Sequence, residues 1–123
     1  MKKNYTVVGF IGRSNVGQMS ARLAIELDKM FSNVNIRCLP ALSGDASPAK
    51  DKFFEDDGII VIDGCKLRCI SKTLKNYGLG DKIVRHYVLD EDFQIEKTPG
   101  LNYDEDVFNK VLEKIANDLR KLE

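Results

Sequence analysis

Apolar runs alternate with amphipathic ones from one end of the chain to the other. Tyr5-Thr6-Val7-Val8-Gly9-Phe10-Ile11 reads as a first strand. A turn of Gly, Ser and Asn follows. Met19, Leu23, Leu27 and Met30 then recur at helical spacing, which predicts a helix from about Val16 to Met30. Asn15 is its expected N-cap, with Gln18 three residues on as the capping-box partner. Val34-Asn35-Ile36-Arg37-Cys38-Leu39 reads as a second strand, stopped by Pro40. The polar segment from Ser43 to Asp57 is expected to be a loop with one short helix around Pro48–Phe54. Gly58-Ile59-Ile60-Val61-Ile62-Asp63 is the clearest strand, because its consecutive β-branched residues suit burial on both faces of a parallel sheet. Gly64-Cys65 is expected to open a helix at once, running through Leu67, Ile70, Leu74 and Tyr77 to a stop at Gly78. A fourth strand spans Ile83 to Leu89, and an acidic loop with Pro99-Gly100 leads to a last helix. That helix carries a stripe of Val107, Val111, Ile115, Leu119 and Leu122, with Asp104, Glu105 and Asp106 at the positive end of its dipole.

This strand–helix alternation predicts an α/β fold: a three-layer α-β-α sandwich with a mostly parallel sheet of about four strands, Rossmann-like or flavodoxin-like. There is no repeat, low-complexity tract or linker, so residues 1–123 are read as one domain. Ligands of such folds bind beyond the carboxyl ends of the strands, near the point where strand order reverses. The turn Gly12–Gly17, Cys38, and the turn Asp63–Cys65 each fall at or just past such an end. A working edge is expected there.

Composition narrows the partners. Lys+Arg and Asp+Glu both number 19, so the chain lacks the broad positive field that drives binding to nucleic acid or to anionic membranes. A protein partner stays open. The apolar N-terminal stretch is broken by Gly9 and Gly12, too soon to span a bilayer, and no cleavage site follows it. A cytoplasmic location is the resulting expectation. Three cysteines, an odd number, argue against a disulfide framework and leave core thiols, metal ligands or redox groups.

Cys65 and Cys69 stand four apart in the predicted helix start, which would set both thiols on one face, where free N–H groups favour the thiolate. The plain alternative is two small residues packed under the sheet. Cys38 is a third thiol whose value depends on meeting the other two; alone, it is a core residue. Three thiolates suffice for zinc with an exchangeable fourth ligand. The turn Gly12-Arg13-Ser14-Asn15-Val16-Gly17 opens a helix and is an anion site in principle, with Arg13 adding charge, or else merely a capped turn. It matches neither a P-loop nor the dinucleotide fingerprint. Asp63 either orients the Cys65 loop or caps a helix. His86, the single histidine, reads as a strand residue rather than a ligand, and one His without a Ser or Cys signature supports no hydrolase triad.

These residues carry a resemblance. Gly12-Arg13-Ser14-Asn15-Val16-Gly17-Gln18 is similar to the Ser-Asn-x-Gly-Gln turn of the DGC-type family, small bacterial and archaeal proteins to which zinc binding through four cysteines is attributed. Ile62-Asp63-Gly64-Cys65-Lys66-Leu67-Arg68-Cys69 resembles its naming Asp-Gly-Cys motif, with a second cysteine four residues on. Cys38-Leu39-Pro40-Ala41 falls where the family has a cysteine ending the second strand. The likeness extends over roughly residues 5–98. This chain departs from the pattern at Phe10, which aligns with the family's first cysteine and cannot ligate. What the resemblance implies here is a metal-binding role with Cys38, Cys65 and Cys69 as ligands to Zn²⁺, and with Asp63 or His86 available to complete the shell without a matching family role.

The leading expectation is therefore zinc held by Cys38, Cys65 and Cys69, with Arg13, Ser14, Asn15, Gly17, Asp63 and Gly64 shaping the surrounding loops, in metal carriage, sensing or a site on a partner complex. The rivals are an enzyme or redox-thiol protein using Cys65 and Cys69, an iron–sulfur protein at the same edge, and a small-anion module built on the Gly12–Gly17 turn.

Overall fold

A computed structural model describes residues 2–122. Four strands form one sheet: β1 (Tyr5–Gly9), β2 (Val34–Ile36), β3 (Gly58–Asp63) and β4 (Ile83–Val88). All neighbours pair parallel, in the order β2-β1-β3-β4. The helices are α1 (Asn15–Met30), α2 (Pro40–Ser43), α3 (Ala49–Glu55), α4 (Cys69–Asn76), α5 (Leu89–Asp92) and α6 (Glu105–Arg120). None is long and apolar enough to cross a membrane.

The period-two alternation of the central strands divides the core. Val7, Ile60 and Ile62 face α1 and α6, where Met19, Leu23, Leu27, Phe108, Val111 and Ile115 are buried. Val8, Ile59 and Val61 face the opposite layer with Leu42, Phe53, Ile70 and Leu74 from α2, α3 and α4. Every residue of β3 is buried, as its β-branched run predicts for a strand covered on both sides. The three-layer parallel α/β architecture is the one the pattern predicts.

Several boundaries differ from the expectation. Helix α1 is capped by Ser14, whose hydroxyl accepts from Gly17 N at 3.0 Å, so Asn15 lies inside the helix with its side chain free for another task. The capping box does not form; Gln18 Nε2 instead donates to the Gly12 carbonyl at 3.2 Å. Strand β2 ends at Ile36, two residues before Cys38; its last register partner is Val7. Met30 and Val107 are 44% and 37% exposed, and Phe108 rather than Val107 fills the core position of α6. The short helix in the polar loop forms as α3, and Gly78, at φ 75°, ends the segment after α4 in the left-handed region that favours glycine.

The largest correction concerns α4. It begins at Cys69, not at Gly64-Cys65. Arg68 is left-handed at φ 54°, which breaks any helix across it. Gly64 to Arg68 form a turn, so Cys65 and Cys69 do not share a helical face.

Candidate functional site

The chain leaves β1 toward β2 on one side and passes from β3 to β4 on the other, so strand order reverses between β1 and β3. The loops after these two strands frame a small open cavity of about 160 Å³. Phe10, Gly12, Arg13 and Ser14 come from the loop after β1, Asp63 to Cys65 and Leu67 to Ile70 from the segment after β3, and Lys97 from the loop before α6. The volume is below that of typical sites for drug-sized ligands and fits an ion or a small polar group. A second hollow, of about 170 Å³, opens at the amino end of the sheet between Tyr5, Phe31 and Leu119; its described lining holds neither thiol nor carboxylate. The chemistry-bearing residues belong to the first.

Each residue of the Ser-Asn-x-Gly turn has a local task. Ser14 caps α1. Asn15 is buried and clamps the distant loop: its Nδ2 donates to the Glu96 carbonyl at 2.8 Å, and its Oδ1 accepts from Thr98 N at 2.8 Å. The Asn15 backbone N–H donates to the Thr98 carbonyl at 3.2 Å. These bonds bring Lys97 to the cavity, where its Nζ donates to Cys65 Sγ at 3.4 Å. Gly17 lies so close to Gly12 that a Cβ would stand 2.8 Å from the Gly12 carbonyl oxygen. Of the first N–H groups of α1, those of Asn15 and Gly17 are already occupied, which weakens the turn as an anion site.

The Asp-Gly-Cys segment is equally specific. Asp63 is 2% exposed at the end of β3. Its Oδ1 accepts from Ile70 N at 2.9 Å and its Oδ2 from Ser71 N at 3.4 Å, so it caps α4 from well upstream in the chain. His86 Nε2, reaching from β4, pairs with the same Oδ2 at 2.7 Å. Of the two roles expected for Asp63, the structure shows the helix cap: by capping α4 it sets where Cys69 begins that helix. Gly64 is required by close approach, since a Cβ there would stand 3.0 Å from the Val16 backbone and 3.1 Å from Gly17 N. Ser20, buried on α1, accepts from Phe10 N at 3.3 Å and donates to the Ile62 carbonyl, tying the two strand ends together.

Cys65 and Cys69 thus border one cavity, the first half-buried and the second exposed. Cys38 is exposed beyond β2 and lies outside that lining. Among the described residues no three His, Cys, Asp or Glu side chains are grouped to hold a metal ion. Asp63 and His86 are engaged with each other and with α4. Arg13 borders the cavity, as does Arg68, which also pairs with Glu91 at 3.1 Å.

Lys97, Arg68, Leu67 and Ser20 are site or support residues that sequence reasoning missed. Lys97 stands in a loop without periodicity, and only the pairing of Asn15 with the 96–98 backbone brings it in.

The family model for the DGC domain matches residues 7–115. No curated protein and no solved structure matches the chain.

Proposed function

The chain belongs to the DGC-domain family, and from that premise we propose that it binds a thiophilic metal ion, zinc in the first place, through Cys65 and Cys69. The observation that carries this reading is that both thiols border one ion-sized cavity at the strand-order reversal. Zinc is borderline-soft and accepts cysteine sulfur readily, but a structural site takes four protein ligands and a catalytic one three. A single chain supplies two at this cavity. Cys38 would have to move to become the third. The residues of one chain therefore do not fit a closed zinc centre, and the reading is exchangeable binding, suited to carriage, sensing or a shared site rather than to catalysis.

Elemental analysis of untagged protein purified without oxygen tests it, together with Cys65→Ser, Cys69→Ser and Cys38→Ser. Zinc is expected in the parent and in Cys38→Ser, and is expected to be lost from the other two. A brown chromophore would redirect the reading to an iron–sulfur cluster. Absence of metal after reconstitution with zinc, and with iron plus sulfide, would sink it.

A second reading rests on the Lys97–Cys65 contact and the bordering Arg13 and Arg68. These cations suit a small anion, or thiol chemistry on an anionic substrate. In that case Arg13→Ala weakens phosphate binding while Cys65→Ser leaves it intact.

A further inference from the structure

We propose that Cys65 accepts sulfur: it takes the outer sulfur of a small sulfane-sulfur oxyanion, thiosulfate in the first place, and becomes a persulfide. The inference rests on the second reading above, cations around a thiol, and names the substrate class of that site. Arg13, Arg68 and Lys97 all line the cavity of about 160 Å³, and Lys97 Nζ donates to Cys65 Sγ at 3.4 Å. Three cationic side chains thus border a half-buried thiol in a space suited to a small anion. The negative charge nearby is already engaged. Asp63, the carboxylate of the described lining, accepts from Ile70 N and Ser71 N and pairs with His86, while Glu91 takes up part of the Arg68 charge. The balance left over favours a doubly charged anion, held by side chains rather than by the turn after β1, where the Asn15 and Gly17 amides are occupied.

The acid–base groups narrow the reaction further. Attack of a thiol on a phosphate ester or an acyl group expels an oxygen or nitrogen that needs a positioned acid to protonate it. Asp63 is engaged through both oxygens, and His86 stands outside the described lining. Sulfite leaves as a stable anion and needs no such acid. The step balances with the groups named. Cys65, its proton given to solvent, attacks the outer sulfur of thiosulfate. The new bond from Sγ forms as the bond between the two thiosulfate sulfurs breaks, and that electron pair departs with sulfite. Thiolate and thiosulfate dianion become persulfide anion and sulfite dianion, with no external oxidant or reductant. Lys97, beside Sγ, offsets charge before and after the transfer. A small thiolate reaching the open cavity then takes the outer sulfur as its own persulfide and returns Cys65 to the thiolate.

The test incubates the reduced full chain with thiosulfate, without oxygen and with a chelator present so that no metal masks the thiols. Peptide mass spectrometry should find one added sulfur atom on the Cys65 peptide, matched by one sulfite released per chain. Cys38, exposed on the same chain, is the internal reference for unassisted reaction. A dithiol as acceptor turns the step into continuous release of hydrogen sulfide, which gives kcat and KM. Arg13→Ala should raise the KM for thiosulfate about tenfold, the effect of losing one charged hydrogen bond to the substrate, with kcat nearly unchanged. Arg13→Lys should recover part of that loss, and both variants should keep the circular dichroism of the parent. Cys65→Ser should abolish sulfite release, whereas Cys38→Ser should not alter it. Sulfur arriving on Cys38 as fast as on Cys65 overturns the proposal, as does an Arg13→Ala variant as fast as the parent at low thiosulfate. Arg13-dependent phosphate binding without sulfur gain at Cys65 overturns sulfur transfer and leaves the anion reading standing. Absence of both overturns both.

Discussion

Replacing Asp63 by alanine removes more than a surface charge. The carboxylate is buried, accepts from Ile70 N at 2.9 Å and Ser71 N at 3.4 Å, and pairs with His86 at 2.7 Å. Losing a helix cap costs about 1 kcal/mol. Leaving a buried N–H such as that of Ile70 without a partner costs about 1–3 kcal/mol, a range that overlaps the first. The His86 side chain is 28% exposed, so its pairing adds less than about 1 kcal/mol. Asp63→Ala should therefore destabilise the fold by about 2–3 kcal/mol, a large share of the roughly 5–15 kcal/mol available to a domain. The melting temperature should fall by about 10 °C. Asp63→Asn keeps one acceptor oxygen and should lose about half as much, and His86→Ala alone should stay below about 1 kcal/mol. The chain has no tryptophan, so urea unfolding is followed by circular dichroism. Fraying of α4 should also speed alkylation of Cys69, read by mass spectrometry, without changing Cys38. An Asp63→Ala variant within about 0.5 kcal/mol of the parent would refute the capping argument. So would a His86→Ala variant that costs as much as Asp63→Ala.

Gly64→Ala drives a Cβ to within 3.0 Å of the Val16 backbone and should cost about 1–3 kcal/mol in urea unfolding, because neither backbone can yield without separating the two loops. Asn15→Ala removes both side-chain bonds to the 96–98 loop; tryptic cleavage after Lys97 should accelerate about tenfold, corresponding to about 1.4 kcal/mol of lost local protection. Tyr87 donates to Asp118 Oδ2 at 2.8 Å, and burial, then this bond, holds its phenol proton above the ordinary value of 10.0. The unfolded chain ionises first as pH rises through 10, so stability falls there; the gap of about 1 kcal/mol between parent and Tyr87→Phe at pH 7 should narrow in melts run from pH 9 to 11. Asp118 has the opposite sign. Lys114 first, and Tyr87 after it, hold its carboxyl below 3.8, so its contribution is present above that value and should disappear as pH falls below it, which Asp118→Asn melts at pH 5 and pH 3 would register.

The two central strands were legible because the signal there is local, whereas the place where strand order reverses is fixed only by the pairing of β1 with β3. The β-branched run of β3 requires burial on both faces, and Gly64 directly after it marks a turn pressed against another backbone. The start of α4 was not legible because the group that caps it is not its neighbour. Residues just before a helix are the usual source of a cap, and Gly64-Cys65 looked like a start with an Asp ahead of it. Asp63 does cap a helix, but one whose first turn lies beyond the left-handed Arg68. The same carboxylate that suggested a helix at Cys65 thus delays it to Cys69 and separates the two thiols onto a turn and a helix start. Cys38 carries a similar lesson: the β1–β2 register ends at Ile36, the last bond to β1 comes from Arg37 N, and α2 begins two residues past the thiol at Pro40. Lys97 lay beyond pattern reading altogether, since its place depends on Asn15 bonding a loop more than 80 residues away. What a sequence pattern conveys is which strand ends meet; which side chains stand there is decided by single long-range hydrogen bonds, and these leave no periodicity to read.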